Sequence, residues 1–220
     1  MRERSPPYCA PRLIVQLVLN NISAVNNDVK RVSRLDQVRA LSDPTRLRLL
    51  ELFKERPLTT KQAAQILGHP PTRLYHHVNL LERLGFIRLV EERPNRGTVE
   101  RYFEAVARAF AVDPALFEGD SPRAQKARSL AANVLTTVLD RARMEAAESV
   151  AAGLVGADDR EAPLIVHVHL TTTEKRIQHV KTRLQRCLHE IRRKPAAKTT
   201  GESRTYTLLM GCYRVRTEAK

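Results

Sequence analysis

The stretch that decides the fold reads ALSDPTRLRLLELF (residues 40–53), LTTKQAAQILG (residues 58–68) and TRLYHHVNLLERLGFI (residues 72–87). Each segment has apolar residues at the three- and four-residue spacing of an amphipathic helix. Asp43 before Pro44 is a start signal for the first helix. Thr59 and Gln62 form a capping box at the second helix, and Gly68 suits its end. The order predicts a helix-turn-helix unit.

A β-hairpin pattern follows the third helix, at residues 88–104. Apolar residues alternate with polar ones, and PNRG supplies the turn. We interpret this hairpin as a basic wing. Arg93 and Arg96 at its tip are expected near the flanking DNA backbone or minor groove, and Arg101 near a phosphate. A solvated, charged turn is the alternative reading of the tip.

The third helix is expected to enter the major groove, as the second helix of a helix-turn-helix does. Its core face is predicted to carry Leu74, Val78, Leu81 and Leu84. Arg73 is the side chain best able to make a bidentate contact with guanine. The side chains predicted to face DNA and to contact base edges and phosphates are Thr72, Arg73, Tyr75, His76, Asn79 and Arg83.

At these residues the chain resembles the ArsR family of winged-helix bacterial transcription regulators. The resemblance spans residues 35–114 and includes RYFEAVAR (residues 101–108), with every piece in the family's order and spacing. It implies a DNA-binding fold that reads DNA with the residues just named and dimerises through the long helix after the wing. The chain lacks the cysteine pair of metal-sensing members. His77 matches a recurrent family histidine and is expected to be partly buried.

The chain as a whole is predicted to be an α+β protein that is mainly helical. Residues 1–32 are expected to be a poorly ordered N-terminal extension, and residues 33–114 the winged helix-turn-helix domain. Residues 115–153 form a linker and a long helix, which either packs on its own domain or holds two DNA-reading units in a dimer. Residues 154–220 are predicted to be a strand–helix–strand module for effector sensing or dimerisation, with strands at residues 164–170 and 205–215 and a helix capped by Thr171.

Charge and cysteine content restrict the partners and the compartment. The formal net charge of +14 and the pI of about 10.3 favour a polyanion, which can be DNA, RNA or an anionic membrane. Three scattered cysteines fit a reducing compartment. The N-terminal arginines and LIVQLVL (residues 13–19) resemble a short signal peptide, but an extension is the simpler reading. We expect a cytoplasmic protein without a membrane partner.

Enzymatic motifs and cofactor-binding motifs are absent from the sequence. His167 and His169 lie on one side of a predicted strand, so a metal site there competes with a polar strand face. The interpretation is a homodimeric transcriptional regulator, expected to be a repressor, that binds double-stranded DNA and responds to an unidentified small-molecule effector if it has one. Two alternatives stay open: a nucleic-acid-binding protein without sequence preference, and a metal-responsive regulator using those histidines.

Overall fold

The computed structural model describes residues 29–95, 97–154, 168, 171–193 and 208–212, and all statements below concern these residues. The side chains of residues 188, 189 and 191–193 are outside this description. The chain divides into two compact units at Met144 and Glu145, within one long helix. Each unit is described by itself.

The winged unit begins with a strand that the sequence analysis missed. Its elements, in chain order, are β1 (Val29–Val32), α1 (Leu35–Leu41), α2 (Pro44–Glu55), β2 (Leu58–Thr59), α3 (Thr60–Leu67), α4 (Pro71–Arg83), β3 (Ile87–Asn95), β4 (Thr98–Ala105), β5 (Ala109–Val112), a 3₁₀ turn (Pro114–Phe117) and the long helix α5 (Pro122–Ala151). This order confirms the predicted helix-turn-helix and hairpin, so the chain has the α+β class expected for it.

Two small sheets frame the helices. Strands β2, β4 and β3 form an antiparallel sheet in which Leu58 lies opposite Phe103. Strands β1 and β5 pair in parallel, and Val29 lies opposite Ala109. Val32 is fully buried. Residues 29–32 therefore belong to the folded unit, although they fall in the segment expected to be an extension; residues 1–28 lie outside the described residues.

The helices begin and end where the local signals predict. The Asp43 carboxylate accepts the backbone N–H of Arg46 at 3.0 Å and caps α2. At α3, the Thr59 hydroxyl accepts the N–H of Gln62 at 3.1 Å, and the Gln62 side chain accepts the N–H of Thr59 at 2.9 Å. Gly68 ends α3 with φ of 67°, a left-handed conformation that costs a glycine little.

One hydrophobic core joins α1 to α4, the sheet and the first half of α5. Phe53 and Phe103 meet edge to face, with ring centroids 6.2 Å apart. Leu116, Leu130 and Val134 are buried in the same core. The winged unit therefore extends past residue 114, the end predicted for it, because the helix predicted to dimerise also covers its own domain.

The second unit contains helix α6 (Glu174–Arg193). Its first turn is capped by Thr173, whose hydroxyl accepts the N–H of Arg176 at 3.4 Å, so the prediction of Thr171 as the cap is wrong by two residues. Val168 and residues 208–212, which fall within the two predicted strands, have no regular secondary structure. The remaining residues of both predicted strands lie outside the described residues.

Candidate nucleic-acid interface

Helix α4 packs on the core along one face and is hydrogen-bonded to other elements at its C-terminal end. Leu74, Val78 and Leu81 are buried against the core at the spacing of one helix face. The Gln37 side chain donates to the carbonyl of Leu84 at 3.1 Å, and Lys30 donates to the carbonyl of Gly85. These contacts satisfy carbonyls at the helix end that have no partner within the helix. These contacts fix the position of α4 and leave its opposite face exposed.

That opposite face carries all six side chains predicted to read DNA. Each is exposed, and none of them makes a side-chain hydrogen bond or ion pair to another residue in the described part of the chain. Arg73 lies in the first turn of α4, where the backbone N–H groups also favour a negative charge. Two free arginines, a tyrosine and an asparagine can donate to phosphates and base edges. The residues of this face are Thr72, Arg73, Tyr75, His76, Asn79 and Arg83.

His77 is a support of α4 rather than part of its exposed face. Its Nδ1 lies 3.9 Å from Asp43 Oδ1, and this nitrogen is buried without a hydrogen-bond partner. Burial lowers the pKa of His77, the nearby Asp43 carboxylate opposes that shift, and His76 adds to it. The ring of His76 lies against the ring of His77, with the two ring centroids 3.8 Å apart. The expectation of a partly buried histidine is confirmed.

The wing has two faces with different partners. Residue pairs that lie opposite each other share a face, and successive residues alternate. Val90 is an extra residue in β3, where the register shifts between Leu89 and Glu91. Beyond this bulge, Arg93 pairs with Glu100, and Glu92 pairs with Arg101. Arg93 and Arg101 therefore lie on opposite faces of the hairpin.

Arg93 is engaged within the wing. Its guanidinium donates to the two carboxylate oxygens of Glu91 at 2.6 and 2.7 Å and lies 4.6 Å from the centre of the Tyr102 ring. This hydrogen-bonded pair lowers the pKa of Glu91 and raises that of Arg93. A DNA contact by Arg93 has to compete with these bonds.

Arg101, predicted to contact a phosphate, is also engaged. Its guanidinium donates to Glu82 of α4 at 2.9 Å and lies 3.4 Å from Glu92 of β3. It also lies 5.0 Å from the centre of the Phe103 ring. Arg101 thus connects the wing to α4. Arg96, the remaining arginine predicted to contact DNA, lies outside the described residues.

The interpretation of the wing as basic is wrong, because the hairpin contains as many acidic as basic residues. Four arginines and four glutamates occupy residues 88–104, so the formal charge of the hairpin is zero. Arg88 donates to Glu104 at 2.9 Å, which adds a further neutral pair. The arginines are Arg88, Arg93, Arg96 and Arg101, and the glutamates are Glu91, Glu92, Glu100 and Glu104. Among the residues predicted to contact DNA, the arginines without a polar partner in the described part of the chain are Arg73 and Arg83 of α4.

Sequence reasoning missed Lys61 on α3. It is exposed in the first turn of the helix that crosses the DNA backbone in this kind of motif. A positive residue two positions after the Thr59 cap, in the first turn of an amphipathic helix, is the signal that identifies it. We add it to the residues that can contact a phosphate.

The described residues contain no group of three or more His, Cys, Asp and Glu side chains placed to hold a metal ion. His167 and His169 lie outside the described residues. None of the helices in the described residues combines the length and apolar character that crossing a membrane requires.

Comparison with known families agrees with this geometry. A family model described as a helix-turn-helix domain matches residues 41–90, from the end of α1 to the first residues of β3. The chain carries a DNA-binding helix-turn-helix domain. Such a domain has a regulatory role rather than a catalytic one. Comparison with curated proteins gave no match.

Proposed function

We propose that the protein is a sequence-specific transcriptional regulator that binds double-stranded DNA as a homodimer and represses by occupying its site. The observation that carries the proposal is the exposed face of α4, where every predicted DNA-reading side chain is free of intramolecular polar partners in the described residues. Side chains that must form bonds to base edges are useful only when they are not already occupied. The proposed relationship is to ArsR-type regulators, whose motif order the domain resembles.

Helix α5 supports the proposed dimer. Its broad apolar face divides into two strips: Leu130 and Val134 are buried in the domain core, whereas Leu135 and Leu139 are 43% and 52% exposed. Together with Ala132 and Ala142, these exposed leucines repeat at three- and four-residue intervals along one side of the helix. A second copy meeting this strip about a two-fold axis covers it and sets two recognition helices for two half-sites.

The test is selection of genomic DNA fragments by the purified full chain at moderate salt, followed by sequencing of the retained fragments. Enrichment of one short two-fold-symmetric sequence is the expected result. The control is a Thr72→Ala/Arg73→Ala variant, which we expect to retain fragments without enrichment. Retention that is uniform in sequence and disappears as salt rises would refute the sequence-specific proposal.

A second candidate function is nucleic-acid binding without sequence preference, favoured by the charge of α6. Residues 174–193 contain seven Lys and Arg and two Glu, a formal charge of +5. Arg183 and Arg186 are exposed there. If this helix carries the binding, Arg183→Ala/Arg186→Ala weakens retention of all fragments and the α4 variant does not.

Residues 154–220 remain the proposed place of an effector response. The metal-responsive alternative depends on His167 and His169. Titration of the protein–DNA complex with zinc, nickel and copper tests it, because a metal-responsive regulator changes its DNA affinity with one of these ions and a regulator of another class does not.

A further inference from the structure

The polar contacts described between the recognition helix and the wing converge on one guanidinium. Arg101, on β4, donates to Glu82 of α4 at 2.9 Å and lies 3.4 Å from Glu92 of β3. One arginine thus bonds to a helix and stands beside the neighbouring strand of the hairpin. A guanidinium has five donors in a planar fork, so it can serve two carboxylates at once.

The same guanidinium is fixed to the core through aromatic rings. Arg101 and Phe103 share a face of the sheet, and the charge lies 5.0 Å from the ring centre of Phe103. Phe103 is buried and meets Phe53 of α2 edge to face. The contact that Arg101 makes between the wing and the recognition helix is therefore supported by the hydrophobic core.

The charges of this cluster oppose a direct role in holding DNA. One arginine between two carboxylates has a formal charge of −1, which repels a phosphate. Glu82 also lies in the last turn of α4, where the helix dipole disfavours an acidic side chain. Glu82 occupies this position despite both costs and accepts a hydrogen bond from Arg101 there, whereas Arg73 and Arg83 on the same helix have no carboxylate partner in the described residues.

We infer that Arg101 is a positioning residue, which with Glu82 and Glu92 fixes the angle between the wing and the recognition helix, and that it does not bind a phosphate. This inference rests on the proposed function for its consequence in DNA binding, but its structural part does not depend on any DNA site. The contacts with α4 then set the orientation of the wing. The neutral hairpin is held beside the DNA by these contacts and is not drawn to it by charge.

The first experiment measures the wing without DNA. Spin labels at Gln65→Cys on α3, which packs against α4, and at Thr98→Cys on the wing, in the full chain with its three native cysteines changed to serine, report the distance distribution between the wing and this helix pair. We expect Glu82→Gln and Arg101→Gln each to broaden it, and the double variant to broaden it no further. Glu104→Gln, which removes a carboxylate paired to Arg88 on the other face, is the matched control and leaves the distribution unchanged. Unchanged distributions in all variants overturn the inference.

The second experiment uses the sign of the charge change. Removing an acid beside DNA strengthens binding if only electrostatics acts, so Glu104→Gln is expected to keep or increase affinity. We expect Glu82→Gln instead to weaken binding to the selected site about two- to fivefold, the size of an exposed ion pair. Arg101→Gln gives a similar loss with an unchanged salt slope, and Arg101→Lys restores part of it. Tighter binding by Glu82→Gln, or a slope reduced by ~0.9 in Arg101→Gln, overturns the inference.

Failure of the inference and failure of the proposed function are distinguishable. If the wild-type chain selects no DNA sequence, the proposed function fails while the spin-label distances still decide the role of Arg101. If the wild-type chain selects a site and the distances do not respond to the variants, the inference fails alone.

Discussion

The contrast between Arg73 and Arg93 leads to the sharpest prediction. Both were predicted to contact DNA, but Arg73 has no polar partner in the described residues, and Arg93 donates two bonds to Glu91 at 2.6 and 2.7 Å. We expect Arg73→Ala to lower affinity for the selected site by ~1–3 kcal/mol and to relax the preference at one base pair, with little effect on random DNA. Arg93→Ala has a smaller effect, because any DNA contact made by Arg93 would have to break its two hydrogen bonds to Glu91.

A third variant separates base contacts from phosphate contacts. Arg83 is exposed near the end of α4 and without a polar partner in the described residues. If it binds a phosphate, Arg83→Ala lowers the slope of log affinity against log salt by ~0.9 and weakens all sequences alike. A fourfold increase in salt then costs this variant about 3.5-fold less affinity than it costs the wild type.

The assay is fluorescence anisotropy with a labelled duplex of the selected site and a scrambled duplex of the same composition, at salt concentrations spanning a fourfold range. The unfolding midpoint of each variant is measured alongside as a control for folding. It is expected to stay unchanged, because none of these exposed side chains supports the core. Equal losses in Arg73→Ala and Arg93→Ala, or an equal loss of site and scrambled DNA in Arg73→Ala, would refute the reasoning that free side chains read the sequence.

Three further predictions concern assembly and stability. Leu139→Glu is expected to shift the protein from dimer to monomer in analytical ultracentrifugation, whereas Asn133→Glu, exposed on another side of α5, leaves the dimer intact. Thr59→Ala removes the hydroxyl that accepts the Gln62 N–H and is expected to lower the free energy of unfolding by ~0.5–2 kcal/mol in urea titration, with Gln65→Ala close to neutral. Because burial lowers the pKa of His77 in the folded state, the unfolded state binds more protons, and stability falls as pH decreases below about 6.5. His77→Gln is expected to flatten this decline between about pH 7 and 5, and a decline of unchanged steepness contradicts it.

Local signals made the helical part of the domain predictable. Asp43 and Thr59 cap helices through bonds to residues three positions later, and Gly68 adopts its left-handed conformation at the next turn. The buried face of α4 follows from spacing alone, and the exposed side chains are its complement. The exposed side chains of α4 were therefore predictable from the sequence, since amphipathicity places them without knowledge of the rest of the fold.

Pairing between distant residues was not predictable in the same way. β1 has four residues with no strong alternation, and it becomes a strand because residues 109–112 pair with it. The bulge at Val90 likewise depends on the partner strand, and it places Arg93 and Arg101 on opposite faces. No sequence window around Arg101 contains Glu82, nineteen positions earlier, so its role as a phosphate contact was the natural expectation.

The wing shows why counting one sign of charge misleads. Four arginines predicted a surface attracted to phosphate, but four glutamates occupy the same seventeen residues, and Arg88, Arg93 and Arg101 each bond to one of them or to Glu82. Long-range attraction depends on the summed charge, and a neutral hairpin adds little to it. The affinity that depends on salt must then come from free cations elsewhere, such as Lys61 on α3 and Arg83 on α4. On our proposal the wing acts through its position beside α4. Variants that keep the charge of the wing but loosen its angle to α4 should then weaken DNA binding more than variants that change its charge but keep that angle.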